Sequence, residues 1–233
     1  MAADAWAGWL SPLFWSAATI LAYMAARQLY RRAPHWWASP LLLAPVVLLL
    51  LALALHTSYR EYIRGTHWLL LMLGPVTVAF AVPIHRQRAL IRRHWKVLGF
   101  GVLVGSTVAI LSAWVLATLL HLSPELRASL APRSITTPFA MTISGEVGGI
   151  PELTAVFVIL TGICGAVLGQ LVVRFLPLRT SMARGALLGM GAHGAGVAKA
   201  REIGNEEGAI AGLVMVLAGL LNVALAPLLI RLL

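Results

Sequence analysis

The chain has 233 residues, of which 60% are hydrophobic and only 11% charged, and its formal net charge is +10. With a mean hydropathy of +0.87 there is too little charge to cover an aqueous surface, which excludes an ordinary soluble domain. The positive charge does not point to nucleic acid, because Lys and Arg fill short gaps between apolar runs and form no basic face.

The N-terminal "MAADAWAGW" carries an acidic residue and no basic one before the first apolar run, so it does not read as a cleavable signal and the first helix is expected to persist. Six charge-free runs occur, at 5–26, 33–59, 65–85, 97–124, 153–173 and 208–230. Roughly 20 helical residues cross a bilayer, so each run is long enough to span. Backbone exposed to lipid must satisfy its own hydrogen bonds, and no alternating strand pattern is present, so helices are expected. The predicted fold is an all-α polytopic membrane bundle with six full-length spans and two broken or re-entrant segments. It reads as one transmembrane domain over 1–233: four spans in 5–120, then two interrupted segments in 125–233, each followed by a full span.

The gaps set an orientation. Arg27, Arg31 and Arg32 occupy one gap, and Arg86, Arg88, Arg92, Arg93 and Lys96 another; "YREYIRG" between them holds only Arg60 and Arg64 against Glu61. Basic short loops stay cytoplasmic, which places the N-terminus outside. Trp36, Trp37, Trp68, Trp95 and Tyr59, with His56, His67, His85, His94 and His121, cluster at run ends and read as interfacial anchors. The single cysteine, Cys164, excludes an internal disulfide and reads as helix packing, as do Gly165 and Gly169 in "GICGAVLG".

Two stretches break the pattern. Their charge-free cores, 134–145 and 185–198, are too short for an ordinary span. On the orientation above they enter from opposite sides, so their tips are expected to meet near the midplane. The first, "RSITTPFAMTISGEVGG", combines Arg133, Ser134, Thr136, Thr137, Pro138, Thr142 and Glu146 with paired glycines. Pro138 removes a backbone donor and opposes helical geometry at Thr137. The second crowds Gly185, Gly189, Gly191, Gly194 and Gly196 around His193. Short Gly/Pro-interrupted apolar segments point to a substrate site at mid-bilayer, and opened helix ends offer N–H groups that suit a carboxylate. The candidate substrate-binding set is therefore Arg133, Ser134, Thr136, Thr137, Pro138, Thr142, Glu146, Gly189, His193 and Gly196. Glycines equally serve close helix packing, and hydroxyls often bond only their own preceding turn. Glu202, Glu206 and Glu207 read as a solvated loop.

"GMGAHG" at Gly189–Gly194 has dinucleotide-fingerprint spacing but no preceding strand, so no nucleotide cofactor is expected. The seven histidines lack ligand spacing, so no metal is expected either. No nucleophile elbow or triad is visible, and enzyme activity is not expected.

The residues of the two broken stretches carry a resemblance to the LrgB family of bacterial membrane proteins. Arg133, Ser134, Thr136, Thr137, Pro138 and Ala140 resemble that family's K-S-V-T-T-P-I-A element, and Gly148, Gly149, Ile150 and Pro151 its G-G-I-P. Gly189, His193, Gly196, Ala198, Ala200 and Glu202 match a G-x-x-x-H-x-x-G-T-A-x-A-x-E pattern, with Val197 in place of the usual threonine. The resemblance implies a multi-pass protein of the bacterial cytoplasmic membrane with a small LrgA/CidA-like membrane partner. It also implies one of two roles: carriage of small monocarboxylates such as glycolate, glycerate, lactate or pyruvate, or regulation of murein hydrolase activity and lysis within a holin/antiholin-like complex. Whether the chain forms a homo-oligomer stays open.

Overall fold

The computed structural model describes residues 2–33, 35 and 38–232, so the expected anchors Trp36 and Trp37 lie outside the described residues. All regular elements among the described residues are helical. In chain order they are α1 (Ala2–Arg32), α2 (Pro40–Ala54), α3 (Tyr59–Leu71), α4 (Leu73–Ala79), α5 (Ala81–Arg86), α6 (Arg88–Leu119), α7 (Pro124–Leu130), a 3-10 turn (Ala131–Ser134), α8 (Thr137–Glu146), α9 (Pro151–Phe175), α10 (Ser181–Ile203) and α11 (Asn205–Leu232).

Among the described residues, four stretches are long and apolar enough to cross a membrane: Tyr59–Arg86, Arg88–Leu119, Pro151–Phe175 and Asn205–Pro227. The main helix among the described residues of the run 33–59 is the 15-residue α2, which at 1.5 Å per residue reaches about 22 Å and falls short of the hydrocarbon core. Pro40 starts that helix, and His56 in the left-handed region (φ 50) stops it. The Tyr59–Arg86 stretch is divided by its prolines. Pro75 and Pro83 each exclude the carbonyl four residues earlier, and α3 and α4 end at those residues, Leu71 and Ala79.

The chain forms two compact units, Met1–Val76 and Thr77–Leu233. In the first, α1 packs on α2 and α3. The contact with α3 is close because Gly65 lies on the Pro12 main chain, where a Cβ would overlap. Trp15 is buried and meets Tyr62 edge-on, with centroids 5.4 Å apart. Ser16 donates to the Gly65 carbonyl and accepts from Trp68 Nε1 at 2.8 Å.

The second unit contains both interrupted stretches. Its apolar core joins Leu98 and Val102 of α6, Ile135, Phe139 and Ile143 around α8, Val158 of α9, and Ile210, Leu213 and Val214 of α11. Asn222 of α11 donates through Nδ2 to Ser106 Oγ of α6 at 2.9 Å, deep in this core. α9 packs on α10 through Gly165, which abuts the Gly191 carbonyl, and Gly169, which abuts Leu188. The small-residue packing expected of "GICGAVLG" is thus present, but Cys164 itself is exposed, because it lies on the opposite side of the helix from that seam.

Candidate functional site

Each interrupted stretch is a helical hairpin. In the first, α7 and the 3-10 turn form one arm and α8 the returning arm. Pro132 keeps the chain from continuing α7, and Ile135 (φ −127, ψ 171) and Thr136 (φ −63, ψ 144) are extended. Pro138 then falls in the first turn of α8, where its missing N–H costs nothing. Proline thus opens the returning arm, and the non-helical residues are Ile135 and Thr136, two places and one place before Thr137. The base is closed by hydroxyls. Ile150 N donates to Ser129 Oγ at 2.8 Å, and Thr154 Oγ1 lies 2.6 Å from Ser144 Oγ and 3.0 Å from the Ser129 carbonyl. Gly148, at φ 82, makes the turn into α9, a conformation that L side chains rarely adopt. Gly149 lies on Ala128 and Ser129 of α7, closing the loop.

The second hairpin lies within α10, which changes direction at His193 (φ 46, ψ −125). Gly196 abuts the Leu188 carbonyl. Eight residues of straight helix would hold these about 12 Å apart, so the arms 181–192 and 194–203 fold back on one another. α11 confirms the sense of each arm. Gly185 lies against Ile210 and Gly189 against Ala211, running parallel; Gly208 lies against Arg201 and Gly212 against Val197, running antiparallel. At the base, Arg184 donates to Glu207 Oε1 through Nε at 3.2 Å and Nη2 at 2.7 Å. Glu207 is only 6% exposed, which corrects its expected place in a solvated loop; the hairpin brings Arg184 back beside it. Glu202 is exposed and pairs with Lys199 at 2.9 Å.

The two hairpins enter from opposite ends of α9. Thr154, near the start of α9, sits at the first base; Gly162 and Gly165 meet Ala192 and Gly191 at the second tip; Gly169 meets Leu188, toward the second base. The second tip therefore reaches the middle of this 25-residue helix, and the 3-10 turn at the first tip touches both α9 and α10, so the tips meet. The His193 ring lies beside the Ser134 main chain and in the field of the Arg133 guanidinium.

At this junction His193 is 3% and Ser134 5% exposed. Ser134 Oγ and both ring nitrogens of His193 lack a well-formed hydrogen bond, the Ser134 main chain being the polar group that the ring lies against. Leaving a buried polar atom unpaired costs about 1–3 kcal/mol, so three together mark a place where a further polar group would be stabilising. Arg133 is half-buried with no ion-pair partner among the described residues. Thr136 precedes α8 without capping it through its side chain, which leaves that helix's amino end, with its partial positive charge, open at the tip. Charge is partitioned sharply: all six acidic residues of this unit (Glu125, Glu146, Glu152, Glu202, Glu206, Glu207) lie at or next to the hairpin bases, and none at the tips.

Of the sequence candidates, the structure brings together Arg133, Ser134 and His193, with Thr136, Thr137 and Pro138 half-buried beside them in the chain. Thr142 and Glu146 are exposed, about 8 and 14 Å farther down α8 from Thr137. Thr142 Oγ1 donates to the Pro138 carbonyl of its own helix at 3.1 Å. Gly189 and Gly196 serve as packing surfaces, against Ala211 and Leu188. Sequence reasoning missed Ser129 and Thr154, whose partners are 21 and 25 residues away. No group of three or more His, Cys, Asp or Glu suited to a metal occurs among the described residues.

The LrgB-like family model matches residues 19–232. The chain belongs to the LrgB-like family. This LrgB-like chain is 42% identical to YwbG of Bacillus subtilis over 91% of its own length and 94% of that protein's. It is 34% identical to YxaC of the same species, over 91% and 92%, and 30% identical to the holin-like protein CidB of Staphylococcus aureus, over 92% and 93%. No solved structure matches it. Family and apolar helices together make it a multi-pass membrane protein.

Proposed function

We propose that the chain is a carrier of small monocarboxylates in the bacterial cytoplasmic membrane, with its N-terminus outside, working with a small LrgA-like membrane protein and catalysing no covalent chemistry. The observation that carries this reading is the junction of the hairpin tips, where Ser134 Oγ and both His193 nitrogens are buried without a well-formed hydrogen bond, beside Arg133. A carboxylate is held by the Arg133 guanidinium and the amino end of α8. An α-hydroxyl or α-keto oxygen on the same guest engages Ser134 Oγ and His193, with Thr136 and Thr137 flanking. One guanidinium and no carboxylate at the tips neutralise a single negative charge; a second carboxylate would be buried uncompensated, which is expensive. Two hairpins entering from opposite ends suit alternating access, since each base can loosen while the other stays closed.

The test is counterflow of labelled glycolate, lactate or pyruvate in proteoliposomes, with and without the small partner. Saturable exchange is expected, falling at least about tenfold in Arg133→Gln and His193→Asn with insertion intact, as loss of a charge-assisted hydrogen bond predicts. Absence of saturable exchange in both preparations removes the proposal.

A second reading is favoured by the similarity to a protein described as holin-like, CidB. In it the chain is a non-transporting member of a holin/antiholin-like complex that controls murein hydrolase activity and lysis. Arg133→Gln separates the two: a scaffold keeps its lysis phenotype, whereas a carrier loses flux while still assembling.

A further inference from the structure

At the elbow between α5 and α6, at Gln87, an open pocket of about 390 Å³ is lined by Ala81, Ile84, His85, Arg88, Ile91 and Arg92. Arg88 Nη1 lies 3.2 Å from His85 Nε2, so the two side chains converge on one point, with Arg92 one turn farther along α6. Arg86, Arg88, Arg92, Arg93 and Lys96 crowd eleven positions, and the sequence holds no Asp or Glu between Glu61 and Glu125. None of these five cations has an ion-pair partner among the described residues. Their mutual repulsion calls for an anion from outside the chain. The pocket is also amphipathic, because Ile84 and Ile91 are half-buried and pack on the apolar core.

The neighbouring stretch of α6 identifies the source of that anion. At His94 the backbone leaves helical geometry (φ −122, ψ 22) and separates the basic first turns of α6 from its apolar length. Beyond it Trp95 and Val97 are each 62% exposed and Phe100 70%, a surface that lipid tails cover. The pocket thus lies at the border of lipid-facing and charged surface, where phospholipid headgroups sit.

We propose that this pocket binds the phosphodiester headgroup of an anionic phospholipid. Arg88 and Arg92 hold the phosphate oxygens, His85 steadies Arg88, and the acyl chains run over Ile84 and Ile91. The site is separate from the hairpin junction and does not depend on the carrier reading.

The test is native mass spectrometry of the purified chain in detergent with equal amounts of phosphatidylglycerol and phosphatidylcholine. A selective phosphatidylglycerol adduct is expected, reduced about tenfold or more in Arg88→Gln/Arg92→Gln, since each basic residue near a lipid surface contributes comparably. The adduct should persist in Arg60→Gln/Arg64→Gln, which removes the same charge elsewhere, and in millimolar inorganic phosphate. Single Arg88→Gln and Arg92→Gln variants, each expected to lose part of the adduct, decide the matter if the double variant does not fold. Equal retention of both lipids, an unchanged adduct in the folded variants, or displacement by inorganic phosphate overturns the proposal.

Discussion

The hairpin of residues 124–146 is fastened at its base by hydroxyl hydrogen bonds, whereas that of residues 181–203 is fastened by the close contact of Gly196 with Leu188, by glycine contacts with α11 and by an ion pair at its base. Ser129 and Ser144 of the first are fully buried, as is Thr154 of α9 behind them, whereas in the second Gly196 meets Leu188 across the arms and Gly185 and Gly189 seat the first arm on α11. The difference arises from how each hairpin turns. The first turns through Ile135 and Thr136 in extended geometry, and at its base the Ser129 carbonyl and the Ile150 amide are satisfied by hydroxyls. The second turns at a single residue, His193, so its arms are pressed together and Gly196 lies where a Cβ would overlap Leu188. The first is thus vulnerable to lost hydrogen bonds and the second to added volume.

The largest effect is expected where volume is added to the second hairpin. In Gly196→Ala the new methyl meets the Leu188 carbonyl, and forcing the arms apart should cost about 2–4 kcal/mol or prevent assembly. Gly194→Ala, which has open space around the added carbon, should be nearly silent. Detergent-resistant unfolding of the two variants measures this contrast; equal stability would break the comparison.

An intermediate effect is expected in the first hairpin. Thr154→Val keeps the shape but removes the hydroxyl that joins Ser144, Ser129 and Ile150, at a cost of about 1–3 kcal/mol. Hydrogen exchange should accelerate across 124–150 and stay unchanged across 181–203. Acceleration in both segments would mean that the hairpins are not fastened independently.

The smallest effect is expected at the second base. Glu207→Gln keeps a hydrogen-bond acceptor for Arg184 and loses the charge, so exchange should quicken modestly at 181–185 and 203–208 with global stability nearly intact. If it lowers stability as much as Thr154→Val, the ion pair rather than the glycine seam holds this hairpin closed.

Much of this architecture was legible in the chain. Four of the six charge-free runs marked the long helices α1, α6, α9 and α11, whereas 33–59 and 65–85 gave shorter ones; prolines and clustered glycines marked the hairpins, because both act within one helical turn. The candidates Arg133, Ser134 and His193 were legible for the same reason: each stands where a short stretch cannot continue as a helix. The features that escaped reading depend on distant partners. Glu207 sits in "REIGNEEG", which reads locally as a solvated loop, and only the return of the chain at His193 sets it against Arg184. Thr154 looked like any helical threonine until the turn at Gly148 carried α9 back to Ser129. His56 and His121 read as interfacial anchors, and the structure adds a second property: both adopt positive φ, 50 and 54, just after α2 and α6 end. In each case the next amide bonds back to a carbonyl five residues earlier, Thr57 to Ala52 and Leu122 to Ala117, a helix stop usually made by glycine. Nothing in composition announces a histidine in that role.

The contact between the hairpin tips is tested most directly by cross-linking them in intact membranes. With Cys164 replaced by serine, Ser134→Cys and His193→Cys should be joined by a short bifunctional thiol reagent within one chain, while Ser134→Cys with Thr180→Cys, at the far base, should not. Cross-linking of the base pair without the tip pair would contradict the meeting of the two hairpins and remove the site built on it.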